Sequence, residues 1–216
     1  MVSRMLLGDL NRNVDRSRAK ILKFSDKEFS FNLIVTYLAY LYGFIGLVEL
    51  YKADDGGPRV WAMTDVAEFD ANVCGARIVW SPHHVIEPMV HNAWPKFVEF
   101  EFFRANAVSN GYLELGVLKH YLFGIGQAMV TNFFEEQKGK LRTKYGDRRD
   151  WPDVWRFSWV LRNAMAHGGR IRIDDNSSVN WKGLSYSKED NGREINNDIW
   201  TGDLFFLMKE MEEYIK

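Results

Sequence analysis

The chain has 216 residues, of which 46% are hydrophobic and 15% aromatic, so it holds enough apolar material for a packed domain and is not composed like a disordered chain. Its formal net charge of −1 excludes the strong overall positive charge of many nucleic-acid binders and leaves a local basic patch as the route to such binding. A single cysteine, Cys74, excludes an internal disulfide framework and favours a reducing, cytoplasmic setting.

The first half of the chain is predicted to hold one long helix between two less regular stretches. Residues 1–27 are polar and charged and are expected to form an N-terminal arm or a short helix. Residues 28–52 predict a helix whose uncharged part, 29–48, has about the length of a bilayer span. Flanks without a positive bias favour a buried core helix and no membrane contact. Residues 54–110 mix strand-like runs with prolines, and no element is assigned to this elaboration.

The second half is predicted to be largely helical. Residues 112–139 carry apolar side chains at three- and four-residue spacing, which predicts a helix. A basic connector, 138–150, leads into a helix over 150–168 that a glycine pair ends. Turn residues separate short β-prone runs in 170–195, which predicts a hairpin or a small three-stranded insert, and an amphipathic helix follows. We therefore expect a mainly α fold: one domain, 1–216, built as a helical bundle with a small β insert before the C-terminal helix.

The stretch LRNAMAHGG, residues 161–169, places an arginine and a histidine near the end of the predicted helix 150–168. Arg162 and His167 lie about 140° apart around a helix axis, so they flank a face that contains Trp159, Asn163 and Ala166. On a single helix, Arg162 and His167 therefore cannot both contact the same phosphate. Two copies packed about a two-fold axis would bring Arg162 of one chain towards His167 of the other, so we expect a homodimer through the 150–168 face.

This pair of residue types suits the cleavage of RNA without a metal ion. Histidine transfers protons near neutral pH, and arginine presents a planar set of donors to phosphate oxygens. The ribose 2′-hydroxyl would attack the adjacent phosphorus, which restricts the reaction to RNA. The alternative is a structural helix end, with a histidine beside the last carbonyls and a solvated arginine.

The motif RNAMAH, residues 162–167, resembles the signature of the HEPN superfamily: arginine, a polar residue, three variable residues, then histidine. The resemblance covers residues 112–216 and implies a bundle of four or five helices, often dimeric. It also implies a metal-independent endoribonuclease of toxin–antitoxin, abortive-infection or other anti-phage systems. Arg162 and His167 would be catalytic, and Asn163 would orient a partner or the substrate. The inserts 54–110 and 170–195 exceed the family pattern.

The resemblance further implies an RNA substrate, no cofactor, and an antitoxin or another defence-system protein as a possible partner. Because some members of the superfamily have lost activity, the alternative is an inactive HEPN-like module that binds RNA or protein.

Basic residues interleaved with aromatic ones in the predicted connector suit a single-stranded RNA backbone and its bases, although a solvated loop would look similar. The candidate RNA-binding residues are Lys138, Lys140, Arg142, Lys144, Arg148 and Arg149.

One further group, His84, Glu87 and His91, has the spacing of metal ligands on a helix. Pro88 lies inside it and should break that helix, so we expect no metal site.

Overall fold

The computed structural model of the protein describes residues 2–52, 61–106 and 118–216. Five strands form one mixed sheet: β1 (Val2–Leu7), β2 (Val14–Ser25), β3 (Asp65–Ala71), β4 (Ala76–Trp80) and β5 (Phe97–Ala105). Their order across the sheet is β1, β3, β4, β5, β2. Strands β1 and β3 are parallel, and the other neighbours are antiparallel. The prediction of a mainly α helical bundle is therefore wrong, because the protein is mixed α/β, with 47% helix and 24% strand.

Five helices and one hairpin accompany the sheet within the same ranges. The helices are α1 (Phe31–Lys52), α2 (Pro82–Val90), α3 (Leu118–Tyr145), α4 (Asp153–Ala166) and α5 (Thr201–Glu213), and the hairpin pairs β6 (Val179–Trp181) with β7 (Leu184–Tyr186).

The sheet occupies the two segments that the sequence left without a clear assignment. The expected arm, 1–27, forms β1 and β2, and the described part of 54–110 forms β3, β4, α2 and β5. Buried polar side chains obscured the alternation of polar and apolar residues that normally identifies a strand. Glu68 and Asp70 are buried on β3, although a strand with one solvated face normally exposes its polar residues.

Ion pairs hold these buried charges on the face of the sheet that lies away from the helices. The Asp70 carboxylate lies 3.1 Å from Arg12 and 2.9 Å from Arg77, and it accepts the backbone N–H of Asp9 at 2.8 Å. Arg12 also donates to three main-chain carbonyls, those of Ala71, Ala76 and Asn106. A buried charge needs such partners, so this cluster fixes the connection between β1 and β2 against β3 and β4.

The opposite face of the sheet carries the core, which α1 and α5 cover. The ring of Phe205 on α5 packs 5.9 Å from Phe69 and 4.7 Å from Phe100, between ring centroids. The predicted core helix is present as α1, whose Ile34 and Leu38 are fully buried. Within the described ranges, Phe31–Val48 of α1 is the one segment long and apolar enough to cross a membrane by length and composition. The absence of membrane contact stays a prediction.

The end of α3 and the continuity of α2 differ from the predictions. The described part of the predicted helix 112–139 belongs to α3, while residues 112–117 lie outside the described ranges. Because α3 continues to Tyr145, much of the expected connector is helical. Pro88 lies inside α2 and does not break it. It stands in the last turn, where a missing N–H costs only one hydrogen bond of a short helix.

The motif helix and the hairpin follow the predictions closely. Helical spacing from 150 to 168 predicts one core face, and the residues on that face are buried in α4: Val154, Phe157, Leu161, Ala164 and Met165. The helix ends where Gly169, at a φ of 81°, donates its N–H to the Ala164 carbonyl at 2.8 Å. The hairpin packs its Trp181 and Tyr186 rings against Phe157.

The N-terminus of α5 lies directly against the backbone of β3. A methyl group on Gly202 would come within 2.7 Å of the Asp70 carbonyl oxygen, so no side chain fits there. The buried carboxylate of Asp203 accepts the backbone N–H groups of Asn72, Cys74 and Trp200 at 2.8 to 3.0 Å. Burial raises the pKa of Asp203 to about 6, and these hydrogen bonds oppose the rise.

We predict that Gly202→Ala lowers the free energy of unfolding by about 1–3 kcal/mol, because the added methyl group must push α5 away from β3. Gly139→Ala is the matched control. It also lies in a helix, but an added methyl group there meets no atom within 4 Å. Its higher helix propensity should raise the free energy of unfolding by about 0.5–1 kcal/mol. Urea denaturation followed by circular dichroism measures both, and equal effects of the two substitutions would contradict the close packing.

Candidate nucleic-acid interface

An open cleft of about 740 Å³ lies between the C-terminal half of α3 and the exposed side of α4. Helix α3 contributes Lys138 and Arg142, and α4 contributes Trp159 and Arg162. Arg148 lines the same cleft from the short segment between the two helices. Four cations therefore surround one cavity in a chain whose net charge is −1.

The predicted catalytic arginine lies in this cleft, held by two partners. One terminal nitrogen of Arg162 lies 2.7 Å from Glu135, and the other donates to the Asn163 side-chain oxygen at 3.0 Å. The side chain is 28% exposed. The Nε–H of Arg162 is buried and has no acceptor among the described residues. Asn163 thus positions the guanidinium group of Arg162. This group can still donate hydrogen bonds to an added anion.

Glu135 is the acidic counterpart of the cleft. Its carboxylate contacts both Lys138 and Arg162. The hydrogen bond from Lys138 and the nearby charge of Arg162 lower the pKa of Glu135. An anionic ligand that enters the cleft therefore competes with Glu135 for these two cations.

Helical geometry divides the predicted RNA-binding residues between two surfaces. Lys138 and Arg142 are four residues apart and lie on the cleft side of α3. Lys140 and Lys144 are offset by two residues and point elsewhere. The ammonium of Lys140 lies 3.1 Å from the centre of the Phe29 ring, and Lys144 donates to the Tyr214 carbonyl at 2.9 Å.

The last two predicted cations follow α3. The guanidinium of Arg148 lies 3.8 Å from the centre of the Trp159 ring and pairs with Asp175 at 3.0 Å. Arg149 is exposed and lines a neighbouring pocket of about 240 Å³. The structure thus brings Lys138, Arg142 and Arg148 together with Arg162, and Arg149 lies in the adjacent pocket.

His167 is placed apart from this cleft. It is the residue that follows α4, its backbone N–H donates to the Ala164 carbonyl at 3.0 Å, and its side chain is exposed. Arg162 lines the cleft and His167 is not among its lining residues, and the angle between their side chains stays a prediction. The proposed two-fold contact involves a second copy, so the homodimer stays a prediction.

His84, Glu87 and His91 do not form the group of metal ligands that their spacing suggested. Glu87 contacts His83, with 3.2 Å between the carboxylate and Nδ1. In the part of the chain that the structure describes, no group of three or more His, Cys, Asp or Glu residues is placed to hold a metal ion.

Sequence reasoning missed Glu135 and the role of Trp159. Glu135 stands three residues before Lys138, a spacing that brings helical side chains together and that could have revealed the pair. Trp159 belongs to a run of three tryptophans at four-residue spacing, Trp151, Trp155 and Trp159, and such a run is typical of packing in a core or at a dimer contact. Trp151 and Trp155 are buried, whereas Trp159 is half-buried beneath Arg148.

Comparisons of the chain with models of protein families, with curated proteins and with solved structures gave no match. The resemblance to the HEPN superfamily therefore depends on the motif alone, and the chemistry of the cleft is argued from its geometry.

We predict that Lys138→Met and Arg162→Met each raise the pKa of Glu135, because each removes a positive charge that stabilises the carboxylate. The control is Lys140→Met, which removes the same charge from the opposite side of α3. Carbon-13 NMR titration of the glutamate carboxyl groups measures the shift. An unchanged pKa in both cleft variants would show that Glu135 is not held by these cations in solution.

Proposed function

We propose that the chain binds RNA in the cleft between α3 and α4 and cleaves it as a metal-independent endoribonuclease. The observation that carries this proposal is the placement of Arg162 beside three further cations and a half-buried tryptophan. Phosphate oxygens match the arginine and lysine donors, and a nucleobase matches the aromatic face.

Cleavage requires one proton to leave and one to arrive. The ribose 2′-hydroxyl loses its proton to a base, its oxygen bonds to the adjacent phosphorus, and the bond from phosphorus to the 5′-oxygen breaks. The departing 5′-oxygen takes up a proton. The products are a 2′,3′-cyclic phosphate and a free 5′-hydroxyl. His167 transfers these protons, and Arg162 stabilises the negative charge on the phosphate oxygens, in the position that Asn163 helps to set.

A second copy of the chain completes the site in this proposal. Arg162 lines the cleft and His167 does not. Their spacing in the sequence predicts an angle of about 140° between them around a helix axis. A two-fold contact through the exposed side of α4 brings His167 of the second chain to the phosphate held by Arg162.

The biological setting rests on the resemblance of the RNAMAH motif to the HEPN superfamily. It supports a cytoplasmic toxin or phage-defence nuclease, restrained by an antitoxin or another defence-system protein. The chain needs no cofactor in this mechanism, because the charges that act on the phosphate come from its own side chains.

A specific observation favours a second function, an RNA-binding module without cleavage. Glu135 and Asn163 already occupy both terminal nitrogens of Arg162, and His167 lies outside the cleft. In that case the wild-type protein would bind RNA and leave it intact.

We predict that His167→Ala reduces RNA cleavage in the presence of EDTA by about 10²–10⁴-fold, the range expected for loss of a proton-transferring group. His91→Ala is the matched control, because His91 is also an exposed histidine that follows a helix. Gel analysis of a labelled RNA measures the rate. Cleavage that EDTA abolishes, or that survives His167→Ala, would overturn the mechanism, and binding without cleavage would support the second function.

We predict that inactive Arg162→Ala and His167→Ala variants restore activity when they are mixed. Half of the dimers would then be mixed, and each would hold one complete site, so activity should reach about a quarter of the wild-type value. The mixture is compared with each variant alone at the same total concentration. A mixture no more active than its components would contradict a site shared between two chains.

A further inference from the structure

A second basic pocket adjoins the cleft that holds Arg162. This outer pocket, of about 240 Å³, is lined by Arg149, Arg156, Asp175 and the Arg148–Trp159 pair, among others. Arg148 and Trp159 also line the cleft. The two cavities are therefore neighbours that share one stacked pair as their common wall.

Both cavities carry more positive than negative charge. Six cations line the two cavities, against the three carboxylates of Glu135, Asp147 and Asp175. The six are Lys138, Arg142, Arg148, Arg149, Arg156 and Arg162. Because the whole chain has a net charge of −1, this excess is a local feature of the two cavities.

Each cavity also offers one arginine that is free to bind a ligand. Arg142 in the cleft and Arg149 in the outer pocket are exposed. Neither makes a side-chain hydrogen bond or a salt bridge to any residue that the structure describes. Arg156 pairs only with Asp153, at 2.8 Å, and its Nε–H has no acceptor among those residues. Unpaired guanidinium groups in a concave site suit phosphate oxygens.

The common wall is itself suited to a base. The Trp159 ring is half-buried, and the guanidinium of Arg148 covers one face of it at 3.8 Å. Nucleobases stack on tryptophan rings and on arginine planes alike, with little dependence on which base is present. A base at this wall would have a phosphate on each side of it.

We infer that the two cavities bind successive phosphates of one single-stranded RNA, with the intervening base stacked on the Arg148–Trp159 pair. This inference rests on the proposed function and names its substrate class. The phosphate in the cleft is the one beside Arg162, and the phosphate in the outer pocket lies beside Arg149 and Arg156. A duplex is a poor ligand, because its bases are stacked on each other and cannot reach the Trp159 ring.

The test is the binding of a fluorescently labelled 2′-O-methyl octaribonucleotide, measured by anisotropy at several salt concentrations. This probe has no free 2′-hydroxyl, so the proposed reaction cannot cleave it. The outer-pocket variant is Arg149→Gln/Arg156→Gln. The matched control is Arg170→Gln/Arg172→Gln, which removes two exposed arginines from another part of the surface.

The outer-pocket variant should bind the octamer at least about tenfold more weakly than the control. Its plot of log affinity against log salt should be shallower by about 0.7, the contribution of one contact to a single-stranded phosphate, because both arginines lie beside the same phosphate. Trp159→Leu should weaken binding and leave the salt slope unchanged, because it removes stacking and no charge.

The outcomes separate the inference from the proposed function. If wild-type protein binds the octamer, Arg142→Gln/Arg162→Gln abolishes that binding, and the outer-pocket variant matches its control, the two-phosphate arrangement is wrong and the proposed function stands. A duplex of the same sequence that binds as tightly as the single strand would also overturn the inference. If the wild-type protein does not bind the octamer, both proposals fail.

Discussion

The packing of α5 against the sheet is the interaction on which the rest of the structure depends. Gly202 touches the backbone of β3, and Asp203 holds the turn that follows β3. Further along α5, the Glu212 carboxylate accepts the backbone N–H groups of Phe29 and Ser30, just before α1. Trp155 of α4 donates to a main-chain carbonyl of α5 at 2.9 Å. One short helix thus holds the sheet, α1 and α4 in a fixed arrangement.

This arrangement decides which side of α4 is available to a ligand. The side of α4 that carries Phe157 and Leu161 is buried in the core, so Trp159 and Arg162 are left facing the end of α3. Because α3 extends to Tyr145, only the basic residues on one side of it, Lys138 and Arg142, line the cleft with Trp159 and Arg162. A loop would have let the whole basic run gather around one ligand, whereas a helix allows only residues one turn apart to do so.

The elements predicted correctly are those whose signals are local in the sequence. Apolar periodicity indicated α3, a long uncharged run indicated α1, a glycine pair marked the end of α4, and turn residues marked the hairpin. Residues 54–110 showed strand-like runs, but nothing indicated how the strands pair, because the pairings join distant segments, β1 with β3 and β2 with β5. Strand β3 also buries Asp70, a residue type normally found at the surface, because Arg12 and Arg77 pair with its carboxylate.

The sequence by itself determined that Arg162 lies on a helix and that this helix ends beside His167, because both follow from helical periodicity and glycine conformation over a few residues. Only the tertiary structure decided that Glu135 pairs with Arg162 and that Arg148 covers Trp159. Those contacts join separate elements, whose relative placement depends on how the core packs, and the spacing of residues within one helix carries no information about it.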